Sequence, residues 1–220
     1  MFVDHFGCFF VSSQTFPVLN FVCRFIGRLT APIMCYFLVQ GYLFTSSRKN
    51  YFIRLLSFGI ISQIPFSLAT NHTVLSLNLN MIFQLASCFL ILYSYENIKN
   101  YVLKTVVMIA LFLFSGNCDW SFFAPLMVMV FYLSKDDFKK MLLSFAVLVV
   151  LISAVDCIFL LMNGYKWYGE LWQLGLFLFI PVICLYNGEY GKKSFFNKWF
   201  FYAVYPLHLL IIWIFKVFIV

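Results

Sequence analysis

Long apolar runs follow one another along almost the whole chain, separated by short segments that carry polar and basic residues. The runs are continuously apolar rather than alternating, which indicates α-helices and excludes the strands of a membrane β-barrel. Most approach the length that a helix needs to cross about 30 Å of hydrocarbon at about 1.5 Å per residue. The pattern predicts helices at about 2–12, 29–45, 52–69, 76–95, 101–116, 120–134, 139–161, 168–186 and 199–219.

Two segments depart from this simple pattern. Residues 17–28, which include Arg24 and Arg28, are predicted to approach the second span along the membrane interface. The fourth run is interrupted by Ser76, Asn78 and Asn80, so it is expected to be partly unwound or re-entrant.

Composition agrees with a membrane protein. Apolar residues make up 64% of the 220 positions and charged residues 10%, and the mean hydropathy is +0.94. A soluble domain carries about 25% charged residues. No Gly- or Ser-rich linker divides the chain. The expected fold is therefore a single all-α domain over residues 1–220, a polytopic bundle of about eight or nine transmembrane helices in a lipid bilayer.

The net charge of +7 comes from basic residues in the connections between runs. Connections 46–54, 96–104, 135–140 and 187–198 hold eleven Lys and Arg residues, against four in the remaining connections. Basic connections face the cytoplasm in membrane proteins, so we expect the N-terminus inside and the C-terminus outside a bacterial cytoplasmic membrane. The basic residues form no continuous face with interleaved aromatics, so nucleic acid is not an expected partner.

The cysteine and histidine positions predict no metal site. The seven cysteines are dispersed without a CxxC pair, and the three histidines have no Cys/His ligand spacing. Most of the cysteines are expected to be reduced and to pack as small apolar residues.

The most informative polar signal is the pair Asp4-His5 inside an apolar run. Charged groups within a membrane helix are costly and mark functional sites. Histidine, with an ordinary pKa near about 6.5, is suited to general-base catalysis. Asp4 is expected to pair with Arg24 or Arg28, which share one helix face. A purely structural ion pair remains the alternative.

Other polar residues admit two interpretations each. His208 is either a second base or a packing histidine bonded to a backbone carbonyl, and Asp119 is either a helix N-cap or a cavity residue. Arg54, with its basic neighbours, either binds phosphate groups or reflects the cytoplasmic bias of basic residues. His72 is expected to be solvated in a loop.

Several of these groups are predicted to lie in the outer half of the bundle, where Asp156 and Glu170 also fall. Ionisable groups in a membrane face a cavity or one another, so an outward-facing polar cavity is a further hypothesis.

Residues 26–69 resemble the signature region of the TraX family, which is named after a conjugative pilin acetylase. Elsewhere the resemblance includes Asp4-His5, CDWS at 118–121 and YAVYPLHLLII at 202–212, in the expected order over nearly the whole chain. Within 26–69 the matching residues are Gly27-Arg28, Pro32, Gly41-Tyr42, Thr45, Tyr51, Arg54-Leu55 and Ser62-Gln63-Ile64-Pro65.

The resemblance implies acyl transfer, typically of acetyl from acetyl-CoA to an amine or hydroxyl, with no metal. His5 would be the base and Asp4 would tune or hold the site, while Arg28, and with it Arg24, would bind the donor or stabilise developing charge. The acceptor would be an exported pilin-like protein or another envelope molecule. We also assign Gln40, Arg54, Asp119 and His208 to substrate or donor binding.

Two departures from the family pattern stand out. Only Met1, Phe2 and Val3 precede the Asp-His pair, so the first run is too short to cross the membrane alone. Gln40 stands where an acidic residue is expected. Because coenzyme A is cytosolic and the polar groups lie toward the outside, the acetyl group would have to be passed across or the donor would have to reach deep into the bundle.

Two other classes of function remain open. The chain would be a non-catalytic assembly scaffold if its short first helix reflects lost activity. It would be a small proton-coupled transporter if Asp156, Glu170 and His208 form a proton path.

Overall fold

The computed structural model describes residues 1–71, 76–188 and 195–219, and helices dominate these ranges. The prediction of an all-α fold is confirmed for this part of the chain. His72 lies outside the described residues. The helices are α1 Phe2–Phe10, α2 Pro17–Gly27, α3 Thr30–Phe44, α4 Arg48–Asn71, α5 Met81–Asn97, α6 Tyr101–Ser115, α7 Phe123–Leu133, α8 Phe138–Met162, a 3₁₀ helix Trp167–Leu178, α9 Phe179–Leu185 and α10 Phe195–Ile219.

Within the described residues, four segments are long and apolar enough to cross a membrane, as expected for a helical membrane protein. They are Pro17–Phe44, Arg48–Thr70, Phe138–Met162 and Trp167–Leu185. Three shorter apolar helices, Tyr101–Ser115, Phe123–Leu133 and Tyr202–Phe218, accompany them. The larger number of eight or nine spans therefore stays a prediction.

The prediction for residues 17–28 was wrong. These residues form α2, and α2 and α3 together make one candidate span of 28 residues, Pro17–Phe44, with a short turn at Arg28 and Leu29. Pro17 occupies the first helical turn, where its missing N–H costs nothing. Arg28 therefore lies about 16 Å along this span from Pro17, rather than in a segment that precedes the span.

The unwinding predicted for the fourth run is confirmed. Residues 76–80 are not helical, and α5 begins at Met81. The Asn80 side chain accepts hydrogen bonds from the backbone N–H groups of Ile82 and Phe83, which caps the helix. Its amide group donates to the backbone carbonyl oxygen of Gly59, at 2.8 Å, and to the side-chain oxygen Oε1 of Gln63, at 2.9 Å. The extended backbone is thus satisfied beside the middle of α4, as an apolar environment requires.

The chain folds as two compact units, each with its own core. The first unit comprises residues 1–34 and 130–187. Within it α1 and α2 pack antiparallel, and they approach closely because Gly7 lies against Cys23 and Gly27 lies against Asp4. Phe131, Phe145 and Phe179 stack together in its core.

The second unit comprises residues 35–129 and 188–220. Here α5 runs antiparallel to α4, since Phe83 lies near Gly59 and Phe89 near Tyr51. α10 runs parallel to α4. At one end Phe58 packs on Tyr202, and at the other Lys216 donates to the carbonyl of Ala69.

This packing brings basic connections to one end of the second unit. Arg48, at the start of α4, forms an ion pair of 2.6 Å with Glu96, near the end of α5, and Glu96 also accepts from the Tyr42 hydroxyl. The parallel packing of α4 and α10 brings the start of α10 to the same end. Connections 46–54 and 96–104, which the charge count assigns to one side of the membrane, therefore share one end of this unit with the start of α10.

Candidate functional site

The first unit contains a buried cluster of one carboxylate and two guanidinium groups. Arg28 Nη2 donates to both carboxylate oxygens of Asp4 at 3.0 Å, and Arg24 Nη1 lies 3.2 Å from Asp4 Oδ1. The side chains of Asp4 and Arg28 are 12% and 9% exposed, and that of Arg24 is 21% exposed. The predicted pairing of Asp4 is confirmed, and it involves both arginines. One negative and two positive charges leave the group with one net positive charge.

Local structure explains why these residues meet. Arg24 and Arg28 are four residues apart at the end of α2, so they project from one face. Asp4 lies in the first turn of α1, where the helix dipole favours an anion, while the end of α2 favours cations. Gly27 completes the arrangement, because a Cβ atom there would collide with the side chain of Asp4.

Trp172 of the 3₁₀ helix covers the two arginines. The guanidinium carbons of Arg24 and Arg28 each lie 4.4 Å from the centroid of its indole ring, which is cation–π geometry. The helix reaches this position because Gly175 lets it pack against the backbone carbonyl of Phe25. Sequence analysis missed Trp172, since an aromatic residue in an apolar run carries no signal of its own. We call Asp4, Arg24, Arg28 and Trp172 the Asp4 cluster.

His5 adjoins the Asp4 cluster through the chain. Its side chain is partly exposed, and its ring packs edge-on against Phe9 at 5.9 Å between centroids. The carboxylate of Asp4 is directed to the arginines, so its observed bonds hold the guanidinium groups. Through the chain, His5 thus lies one residue from the carboxylate that pairs with Arg24 and Arg28.

Two further carboxylates of the first unit lie near the cluster. Asp156 of α8 interacts with Glu170, with the amide of Gln173 and with Arg28. The 3₁₀ helix is interrupted at Glu170, where the backbone leaves helical geometry at φ −118° and ψ 23°. Asp156 and Glu170 therefore belong to one polar group, whereas His208, the third residue of the hypothetical proton path, belongs to the second unit.

His208 belongs to a separate cluster around Tyr205. Its Nδ1 atom lies 3.0 Å from the carbonyl oxygen of Val204, and its ring packs edge-on against Tyr205 at 5.4 Å. This bond matches the packing interpretation of His208. The hydroxyl of Tyr205 accepts a hydrogen bond of 3.1 Å from the backbone N–H of Met81, and Asp119 interacts with Tyr205 electrostatically.

The CDWS segment forms a strained turn rather than a helix start. The N-cap interpretation of Asp119 was wrong, because α7 begins four residues later at Phe123. Trp120 and Ser121 have φ angles of 65° and 30°, in the left-handed region that residues with side chains rarely adopt. The backbone N–H of Asp119 donates to the carbonyl of Leu79, which pairs the turn with the unwound segment before α5.

Burial in this turn raises the pKa of the Cys118 thiol to about 11, and the nearby charge of Asp119 adds to the effect. The thiol is 5% exposed, and all seven cysteines are free. Cys118 thus behaves as the small apolar residue that the sequence predicts.

Arg54 and Gln40 also lie in the second unit. Arg54 is hydrogen-bonded to Tyr202 and lies 5.6 Å from the ring centroid of Tyr51. Gln40 is partly exposed on α3, next to Gly41, which packs against the ring of Tyr51. Of the predicted site residues, the structure thus joins Asp4, Arg24 and Arg28 in one cluster. His5 adjoins that cluster, while Gln40, Arg54, Asp119 and His208 belong to the second unit.

These features define a class of protein: helical membrane proteins that hold an ion-paired carboxylate and guanidinium groups between apolar helices. The family model described as TraX protein matches residues 1–216. The chain therefore belongs to the TraX family, as its sequence resemblance indicated.

A similar protein extends the comparison. The chain is 28% identical over 230 aligned residues to the "Probable fimbrial assembly protein FimC, serogroup H1" of Dichelobacter nodosus, and the alignment covers 100% of this chain and 92% of the relative. No solved structure matches the chain significantly.

Proposed function

We propose that this protein is a membrane-embedded acyltransferase that moves an acetyl group from acetyl-CoA to an amine or hydroxyl of an exported, pilin-like protein. The Asp4 cluster beside His5 is the observation that carries the proposal. Family membership and the fimbrial assembly relative support the link to pilins.

The chemistry follows from the charges at the site. His5 takes a proton from the acceptor nitrogen or oxygen, which attacks the thioester carbonyl of acetyl-CoA. The carbonyl oxygen becomes an oxyanion, the C–S bond breaks, and coenzyme A leaves as a thiolate that takes up the proton. General-base help of this kind contributes roughly 10²–10⁴ in rate. The net positive charge of the Asp4 cluster favours both the oxyanion and the phosphates of the donor.

Asp4 acts as a positioning residue in this scheme. Two free arginine side chains would lose much conformational freedom on binding a donor. Here the carboxylate and Trp172 already restrain both side chains, so less freedom is lost when the donor binds. Preorganised charge of this kind needs little rearrangement during the reaction. Donor binding by Arg54 stays a proposal, as does substrate binding by Gln40, Asp119 and His208, and these four residues belong to the second unit.

Transfer of radiolabelled acetyl from acetyl-CoA tests the proposal, with the purified protein in lipid vesicles and exported pilin-like proteins of the same cell as acceptors. The native chain is expected to label the acceptor, and His5→Ala is expected to lose that label. His72→Ala is the matched histidine control, because the sequence assigns it to a polar loop. Equal labelling of the acceptor by His5→Ala and by the native chain would show that His5 is not the base.

A non-catalytic role in fimbrial assembly is the second candidate, favoured by the name of the Dichelobacter nodosus relative. It predicts no acetyl transfer by the native chain. Assembly of surface fibres in cells would then survive His5→Ala but require the intact chain. Counting fibres on cells that carry the deletion, His5→Ala or the native gene separates the two functions.

A further inference from the structure

A second polar group of the first unit has no role in the reaction as proposed. It contains Asp156 of α8 together with Glu170 and Gln173 of the 3₁₀ helix. Asp156 and Glu170 interact with each other, and the Gln173 amide contacts Asp156. Both helices belong to candidate membrane spans, where an ionisable residue is a mark of function.

Two buried oxygen atoms in this group have unmet hydrogen-bonding capacity. Asp156 Oδ2 and Gln173 Oε1 are buried and accept no hydrogen bond from the residues that the structure describes. Gln173 is itself only 6% exposed, so the protein has withdrawn its amide from solvent. A buried acceptor without a donor is unfavourable, because it has lost its hydrogen bonds to water without replacement. Two such atoms in one contact pair indicate a site for a ligand that donates hydrogen bonds.

The chemistry of the group limits which class of ligand it can bind. A carboxylate and an amide oxygen both accept hydrogen bonds, and Glu170 adds a second negative charge beside them. An anion would be repelled by the two carboxylates. A primary ammonium group offers three N–H donors and one positive charge on a small centre, which matches both needs.

We propose that Asp156 and Gln173, with Glu170 beside them, form a subsite that binds the primary ammonium group of the acceptor. The inference rests on the proposed function for the origin of that ligand. Arg28 links the two polar groups, since it bonds to Asp4 and interacts with Asp156. The Asp4 cluster would thus hold the anionic donor while the neighbouring carboxylates select an amine over a hydroxyl. Before it attacks, the bound ammonium gives one proton to a carboxylate of the subsite and becomes the neutral amine. The second proton passes to His5 and then to the coenzyme A thiolate.

Carbodiimide labelling tests the subsite without any need for catalysis. The neutral form of a carboxyl group within a membrane reacts with hydrophobic dicyclohexylcarbodiimide, whereas a carboxylate that is paired with a bound ammonium does not. The native protein in vesicles is treated with the reagent alone, or with butylammonium, pentanol or sodium ions present. The label on the peptides that contain Asp156 and Glu170 is then measured by mass spectrometry.

The expected result is label on Asp156 that butylammonium removes and that neither pentanol nor sodium changes. Asp156→Asn should lose this label, while Asp136→Asn, at an exposed turn before α8, should keep both the label and its protection. Equal protection by pentanol or sodium, or no protection by butylammonium, would overturn the proposal. Absence of label on both carboxyl groups would also overturn it, because the protein's own cations would then hold them.

This result is independent of the acetyl-transfer assay. Protection by butylammonium in a chain that transfers no acetyl would support the subsite and contradict the acyltransferase activity. Acetyl transfer without protection would support the acyltransferase activity and contradict the subsite. In an active enzyme, Asp156→Asn is expected to raise KM for an amine acceptor by a larger factor than it changes KM for acetyl-CoA.

Discussion

At the residue scale, one carboxylate pairs with two guanidinium groups in a largely buried cluster. Breaking a buried ion pair by removing one partner costs about 3–5 kcal/mol, because the remaining charge stays buried without compensation. Asp4→Asn removes this partner from Arg24 and Arg28, while Arg28 keeps its interaction with Asp156, so the free energy of unfolding should fall by no more than about this amount. Denaturant unfolding in detergent micelles measures the change.

A double-variant cycle separates this effect from simple loss of packing. Asp4→Asn combined with Arg28→Gln removes one charge of each sign and should be less destabilising than the sum of the two single changes. Additive losses would mean that the two groups contribute independently of their bond.

The thiol of Cys118 supplies a prediction on pH. Only the thiolate reacts with iodoacetamide, and burial raises the pKa of this thiol to about 11. In a variant that keeps only Cys118, the alkylation rate should rise about tenfold per pH unit up to that pKa, since the thiolate fraction does so. Asp119→Asn should shift the profile toward lower pH, and an unchanged profile would remove the aspartate as a contributor.

Sequence reasoning succeeded at this scale where spacing along one helix decided the outcome. Arg24 and Arg28 share a helix face, so their joint pairing with an early carboxylate was predictable. Trp172 was not, because its cation–π contacts depend on Gly175 bringing a distant helix against Phe25. The place of Gln173 in a polar site was not predictable for the same reason, since its side chain indicates such a site only when Asp156 is known to lie beside it.

At the element scale, close helix contact depends on a few glycines. Gly27→Ala would drive a Cβ atom into the side chain of Asp4, so α1 and α2 must separate. Overpacking of this kind costs about 1–3 kcal/mol, and acetyl transfer should fall with it. Gly169→Ala is the matched control, because its Cβ would lie 3.5 Å from Leu160, an ordinary contact. Thermal unfolding of the two variants in detergent checks the difference, and equal midpoints would contradict the prediction.

The unwound start of α5 was predictable because polar residues interrupt an apolar run. The helical state of residues 17–28 was not, since two arginines in an apolar segment resemble an interfacial segment until Asp4 is known to pair with them. Charge patterns along one segment indicate its environment only when the partner charges are also known.

At the scale of the whole molecule, the charge count predicts which end of the second unit faces the cytoplasm. Asn97 is exposed near the basic end beside Glu96, and Asn117 is exposed near the opposite end, where its backbone carbonyl accepts from Leu79. In a chain with its seven native cysteines changed to alanine, Asn117→Cys should react with a membrane-impermeant maleimide in intact cells. Asn97→Cys should react only after permeabilisation. The reverse pattern would contradict the proposed orientation.

The helical membrane class followed from composition and run length alone, because lipid requires both. The division into two compact units did not, since no linker or change in composition marks it. Packing between distant helices sets that division, and the pattern of apolar residues is nearly uniform across it.

The pairing of Asp4 with Arg24 and Arg28 has a consequence for how the protein enters the membrane. Each charge would cost about 2.5–3.5 kcal/mol if its helix were inserted alone. The three residues lie within the first 28 positions of the chain, so they leave the ribosome within a short interval. We expect α1 and α2 to be inserted as a hairpin in which Asp4 already offsets one of the two positive charges. Trp172 would cover the arginines only later, after the 3₁₀ helix has been synthesised.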